Sequence, residues 1–128
     1  MSFESFPFNI GWELTLECNL RCSHCGSSAG LPKPNELTKE EALKICDQFP
    51  ELLVQQVHFT GGEALLSPYW ADIALYLKNL GISTNILTNG YNLKPETVSK
   101  IKSVGISAVG ISLDGLEKTH DYIRGQEG

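Results

Sequence analysis

The segment Ser83-Thr84-Asn85-Ile86-Leu87-Thr88-Asn89-Gly90 has the pattern of a strand that ends in a turn, because Asn-Gly is a strong turn signal. A helix follows it. Pro95 is typical of a first helical position, and Gly105 is typical of a helix end. Between them the apolar residues recur at helical spacing, at Val98, Ile101 and Val104. This stretch therefore predicts one complete strand–helix unit.

The same alternation extends to both sides of this unit. Further strands are predicted over residues 10–16, which lead to Cys18, and over residues 54–60 and 108–113. Such strict alternation of strands with helices indicates a parallel sheet with right-handed crossovers. The fold class predicted from the sequence is therefore α/β.

Two more helices have recognisable starts. Thr38 and Glu41 form a capping box ahead of the first of them. Ser67 as the N-cap and Pro68 at the first helical position open the second, which we expect to end at Gly81. A fourth helix is due where the sequence reaches its last residue.

The length of the chain limits how much of a barrel it can form. A barrel of eight strand–helix units takes about 250 residues, so each unit takes about 30. The 128 residues therefore hold about four units. We expect a single domain over residues 1–128, folded as a partial parallel (βα) barrel of the TIM-like type.

Charge and hydropathy exclude some classes of partner. The chain has 15 acidic and 10 basic residues, a net charge of −5, and no basic run. This composition argues against a nucleic-acid or anionic-membrane surface. Residues 1–11 lack the basic start and apolar stretch of a signal peptide, and no run approaches a membrane span. We expect a cytoplasmic protein, whose reducing surroundings suit exposed thiols.

Three cysteines follow the first predicted strand with the spacing C-x-x-x-C-x-x-C, at Cys18, Cys22 and Cys25. They offer three soft thiolates to one inorganic centre. A four-iron four-sulfur cluster has four corners, so three cysteines leave one iron open to a substrate or cofactor. The motif therefore predicts a reactive iron–sulfur cluster.

Zinc is the main alternative for these thiols. His24 is the nearest candidate for the fourth ligand of a tetrahedral site. However, residues 24 and 25 are adjacent and rarely reach one tetrahedral ion together. The remaining thiol, Cys46, belongs to an apolar helical pattern and is predicted to be a small buried hydrophobic residue.

Further unusual residues lie where the predicted strands end, which is where barrel folds place their chemistry. Gly61-Gly62-Glu63 follows the second strand, and its glycines would let the backbone come close to a ligand while the carboxylate suits a cationic amine. Thr88 and Asn89 end the third strand. Ser112 and Asp114 end the fourth strand, although Gly-Gly and Asp-Gly also occur as plain turns.

Taken together, these motifs resemble those of the radical S-adenosylmethionine (SAM) superfamily. The resemblance includes Asn19-Leu20 after the first cysteine and Gly61-Gly62-Glu63, although Ala64 stands where the family usually has proline. Residues 112–115 and 120–125 are similar to the subgroup that carries a C-terminal SPASM or twitch extension. Members of that subgroup modify ribosomal peptides and proteins or act on cofactor and haem precursors.

The resemblance implies a role for each motif. The three cysteines would bind a 4Fe-4S cluster, and Gly61, Gly62 and Glu63 would hold the amino group of SAM. His24 would lie close to the adenine, and Ser112 and Asp114 would contact the ribose. Reductive cleavage of SAM would give methionine and a 5′-deoxyadenosyl radical, which abstracts hydrogen from an unknown substrate. A reductant protein would supply the electron, and no general acid or base is assigned.

The family barrel has six strand–helix units, so the resemblance implies that this chain is the N-terminal portion of a radical SAM domain and inactive alone. Two alternatives stay open: a zinc-binding or iron–sulfur module with a structural or electron-transfer role, and a catalytically silent truncated domain. The strand predicted over residues 108–113 would have one unpaired edge without proline or lysine. That edge predicts a homodimer formed through it.

Overall fold

The computed structural model describes residues 6–128. Its elements in chain order are β1 (Asn9–Glu13), α1 (Lys39–Cys46), β2 (Gln56–Thr60), a short 3-10 turn (Ala64–Leu66), α2 (Trp70–Asn79), β3 (Ser83–Thr88), α3 (Pro95–Val104), β4 (Ala108–Ile111) and α4 (Glu117–Arg124). Within the described residues, no helix is both long and apolar enough to cross a membrane.

The four strands form one parallel sheet in the order β1-β2-β3-β4. Trp12 is paired with Phe59, Phe59 with Ile86, and Ile86 with Val109, so these residues share one face of the sheet. Strands that are neighbours in the sequence are thus neighbours in the sheet, as expected for successive strand–helix units. The predicted α/β class is confirmed.

The two faces of the sheet differ in burial. Val57, Phe59 and Ile86 are fully buried together with Ile73 and Leu77 of α2. On the opposite face, His58 and Asn85 are cross-strand neighbours and are only partly buried. Since side chains alternate between faces along a strand, the apolar positions alone decide which face packs against the helices.

Most predicted elements have nearly the predicted bounds. β3 and α3 coincide with their predictions. β1, β2 and β4 are shorter than predicted, and β1 already ends at Glu13. The helix expected near the end of the chain is α4, which has eight residues.

The predicted start of the second helix is wrong. Ser67 is not its N-cap and Pro68 is not its first residue, because α2 begins at Trp70. The carboxylate of Glu63 accepts a hydrogen bond from the Leu65 N–H and caps the 3-10 turn instead. Ser67 then closes that turn by donating its backbone N–H to the Ala64 carbonyl.

The outer strand β4 and the segment directly after it expose apolar side chains. Val109 is 40%, Ile111 60% and Leu113 76% exposed. We predict that the 128-residue chain associates into a two-fold dimer at micromolar concentration, because this edge can pair with a second copy. Ile111→Lys should shift the chain toward monomer in sedimentation or light scattering. A monomeric unmodified chain with fast amide exchange over residues 108–113 would show that the edge is merely solvated.

Candidate metal and cofactor site

A cleft of about 370 Å³ lies at the carboxyl ends of the strands. It joins the cysteine loop to the segments that follow β2, β3 and β4, and to the end of α4. The lining residues are Cys18, Cys22, His24, Cys25, Gly26, Ser27, Thr60, Gly61, Gly62, Glu63, Leu87, Thr88, Asn89, Ser112 and Arg124. All residues that the sequence singled out for the cofactors line it except Asp114, which contacts two of the lining side chains.

The cysteine loop is closed at its base by backbone hydrogen bonds. The Cys18 N–H donates to the Gly30 carbonyl at 3.0 Å, and the Gly30 N–H donates to the Leu16 carbonyl at 2.8 Å. The three cysteines thus lie on a loop whose two ends are held together. This closure limits the volume that the thiols can explore before any metal binds.

Each of the three thiols accepts an N–H donor. The backbone N–H of Leu20 lies 3.4 Å from the Cys18 sulfur, and that of Ala29 lies 3.4 Å from the Cys25 sulfur. Arg124 Nη1 lies 3.7 Å from the Cys22 sulfur. Hydrogen bonds to the sulfurs are one of the features that set the properties of protein-bound iron–sulfur clusters.

The donor set fits an iron–sulfur cluster. Three cysteine thiols line one cleft. In a four-iron cluster each thiolate binds a different iron, so the three sulfurs need not meet at one point.

Burial separates the two kinds of cysteine. Desolvation raises the pKa of the Cys18 thiol, and the nearby charges of Glu63 and the other two motif cysteines raise it further. Burial also raises the pKa of Cys46, to about 12, and this side chain is fully buried in α1. Since a metal ligand must be the thiolate, Cys46 is poorly suited to bind, as its predicted place in the core implies.

Gly61 and Gly62 pack against the backbone that leads into the cysteine loop. The Gly62 N–H donates to the Thr15 carbonyl at 2.8 Å. A Cβ on Gly61, whose φ is +141°, would lie 2.3 Å from the Thr15 oxygen, and one on Gly62 would lie 2.3 Å from the Glu17 oxygen. Neither position has room for a side chain, so packing against the backbone of Thr15 and Glu17 requires both glycines.

Glu63 is almost fully buried, and its carboxylate is fixed by three donors. The Thr88 hydroxyl donates to Oε1 at 2.8 Å, the Leu65 N–H donates to the same oxygen at 3.3 Å, and the Asn89 N–H donates to Oε2 at 2.8 Å. Oε2 keeps one lone pair for a further donor. The carboxylate is thus held in one orientation beside the cleft.

Asn89 connects the end of β3 to the cysteine loop. Its Nδ2 donates to Asn19 Oδ1 at 2.8 Å and lies 4.0 Å from the Cys18 sulfur. Its Oδ1 accepts from the Tyr91 N–H at 3.0 Å, which holds the amide in this orientation. The sequence placed Asn89 near the same cavity, and the structure gives it a larger role in positioning the loop than the pattern indicated.

Asp114 lies between one arginine and two histidines. Arg124 Nε is 2.5 Å from Oδ2, His24 Nε2 is 3.3 Å from Oδ1, and His120 Nδ1 is 3.9 Å from Oδ2. The contact with Arg124 is an ion pair rather than an aligned hydrogen bond, because neither Nε nor Oδ2 has a hydrogen-bond partner of good geometry. Asp114 is 18% and Arg124 13% exposed.

At Asp114, neighbouring side chains affect the pKa more than burial does. Desolvation alone would raise the pKa of this carboxyl, but Arg124 and His24 hold it below its ordinary value. The oxygens of Asp114 therefore contact Arg124 and His24, whereas Ser112 lines the cleft. Sequence reasoning did not single out Arg124, which contacts both Asp114 and Cys22.

The comparison with protein families agrees with this geometry. The family model described as the radical SAM superfamily matches residues 12–127. This chain belongs to the radical SAM superfamily. The family expected from the cysteine motif is thus confirmed, and a 4Fe-4S cluster and SAM are the cofactors of that family.

Characterised relatives of this radical SAM chain include two kinds of enzyme. The sporulation killing factor maturation protein SkfB of Bacillus subtilis is 34% identical, over 99% of this chain and 31% of that protein. The AdoMet-dependent heme synthase of Methanosarcina barkeri is 38% identical, over 95% of this chain and 36% of that protein. The chain therefore spans about a third of the length of these relatives.

Solved structures show the same architecture. Crystal structures of Streptococcus suis SuiB, bound to S-adenosylmethionine or to the precursor peptide SuiA, match with a TM-score of 0.82. The identities are 24% and 23%, and the matches cover 96% of this chain and 29% and 28% of those chains. At this identity the likeness concerns the fold, and it confirms the predicted partial barrel.

Proposed function

We propose that this chain binds a 4Fe-4S cluster through Cys18, Cys22 and Cys25 and binds SAM beside it. The observation that carries the proposal is the cleft in which three thiols, each with an N–H donor, adjoin the buried carboxylate of Glu63. When bound, the cluster supplies the electron that cleaves SAM to methionine and the 5′-deoxyadenosyl radical, which abstracts hydrogen from the substrate.

The residues around the thiols would bind and orient SAM. Glu63 would present Oε2 to the amino group of SAM, next to the backbone of Gly61 and Gly62. Ser112 and Asp114 would contact the ribose, and Asp114 would share its carboxylate between the ribose and Arg124. His24, whose ring is half exposed, would lie close to the adenine.

For the whole protein, we propose that the substrate is a peptide or a cofactor precursor and that a reductant protein supplies the electron. The maturation protein and heme synthase among the relatives support these two substrate classes. Within such a protein, residues 1–128 would form the N-terminal portion of the radical SAM domain, which carries the cysteine loop.

Anaerobic reconstitution with iron and sulfide tests the proposal. We expect the absorption of a four-iron cluster, and we expect SAM to change the EPR signal of the reduced protein because it binds the open iron. If a cluster forms but SAM does not change its EPR signal, the protein is an electron-transfer module or a silent domain. Tight zinc binding without any cluster absorption would indicate the structural zinc site.

A further inference from the structure

Arg124 connects the cysteine loop to the segment after β4. Its Nη1 is 3.7 Å from the Cys22 sulfur, while its Nε is 2.5 Å from Asp114 Oδ2. The side chain is 13% exposed, so water screens these interactions less than it would at the surface. One guanidinium thus contacts a thiol and a carboxylate at the same time.

The end of α4 is held against the same loop by its backbone. The Ser23 N–H donates to the Ile123 carbonyl at 2.9 Å. Gly125, with φ of +68°, ends the helix, and a Cβ there would lie 3.1 Å from the Arg21 carbonyl oxygen. Arg124 therefore reaches Cys22 from a helix end that packs closely on the loop.

We propose that Arg124 is a positioning residue that holds the Cys22 thiolate and raises the reduction potential of the cluster bound by the cysteine loop, and that Asp114 holds Arg124 in this position. The inference rests on the proposed function, since it concerns the same three cysteines. The reduced cluster carries one more negative charge than the oxidised one. An N–H donor and a positive charge at a ligand sulfur therefore stabilise the reduced cluster more than the oxidised cluster.

Geometry decides the sign of the effect. Arg124 and Asp114 together have no net charge. At a distance, their opposite effects on the reduction potential of the cluster would therefore nearly cancel. Near Cys22 they do not cancel, because the contact with the sulfur is made by the guanidinium and not by the carboxylate. Removing Arg124, or releasing it from Asp114, should therefore lower the potential.

The midpoint potential of the reconstituted protein, measured by EPR-monitored redox titration without SAM, tests this inference. For Arg124→Gln we expect about a tenfold lower ratio of reduced to oxidised cluster at a fixed potential, a shift of about 59 mV for one electron. Arg124→Lys keeps the charge and should recover part of the shift. Arg21→Gln is the matched control, because Arg21 donates to the Cys18 and Leu20 carbonyls and not to a sulfur.

Asp114→Asn separates positioning from simple charge. Loss of a negative charge alone would raise the potential, whereas release of Arg124 should lower it. A rise in Asp114→Asn, or equal shifts in Arg21→Gln and Arg124→Gln, would overturn the proposal. If Arg124→Gln takes up no cluster, unchanged potentials in Arg124→Lys and Asp114→Asn would overturn it. An unmodified protein that takes up no cluster would refute the proposed function itself, and this inference with it.

Discussion

Cys22→Ala will leave the protein folded but unable to hold a four-iron cluster. Cys22 is partly exposed, and its sulfur contacts Arg124 rather than the apolar core, so its loss should cost little stability. Loss of a residue that merely orients a metal ligand already lowers affinity about 10- to 100-fold. Loss of the ligand itself should reduce the iron and sulfide content after reconstitution by at least that factor, measured per folded protein.

Cys46→Ala is the matched control for this experiment. Cys46 is fully buried in α1, and its thiol pKa of about 12 leaves almost no thiolate at neutral pH. The substitution should cost about 1 kcal/mol of stability, a typical value for one substitution, and leave iron loading unchanged. If Cys46 proves as necessary as Cys22, the four cysteines must form a different site.

The fold was predictable where its signals are local. β3 and α3 have their predicted bounds because Asn89-Gly90 and Pro95 mark a turn and a helix start within a few residues. The start of α2 was not predictable in this way. A 3-10 turn precedes α2, and it is capped by the carboxylate of Glu63, which Thr88 fixes from 25 residues away.

The candidate site was predictable only in part, for the same reason. The cysteine spacing is a local pattern, and the structure places all three thiols in one cleft. Cys22 and Arg124 are in contact although they are 102 positions apart in the sequence. A short sequence motif cannot indicate a contact over that separation. Two signals were available: the family-like segment 120–125 contains Arg124, and an arginine at the end of the helix after Asp114 can reach that carboxylate.

Gly61 and Gly62 have a structural reason to be glycine that is separate from the predicted one. The sequence predicted Gly61 and Gly62 for close approach to a ligand. The structure shows that the backbones of Thr15 and Glu17 already exclude a Cβ at both positions. Packing of the cysteine loop against β2 would therefore require glycine here with or without SAM, so the test of SAM binding must use Glu63.

Glu63→Gln should weaken SAM binding about 10- to 100-fold while the protein stays folded. The change removes the negative charge that would face the amino group of SAM. A hydrogen bond to a charged group contributes about 1.5–3 kcal/mol, and each 1.4 kcal/mol is tenfold in affinity. Calorimetry or the SAM-induced EPR change of the reconstituted protein would measure the loss.

Thr88→Val separates this loss from a general weakening of the fold. Thr88→Val removes the hydrogen bond from the Thr88 hydroxyl to Glu63 Oε1, and Glu63→Gln replaces one of the two acceptor oxygens by an NH2 group. Each should cost about 1–3 kcal/mol of stability. Only Glu63→Gln removes the charge, because Thr88→Val leaves the carboxylate held by Leu65 and Asn89. Equal losses of SAM affinity in the two variants would mean that Glu63 supports the shape of the cleft and does not bind the amino group.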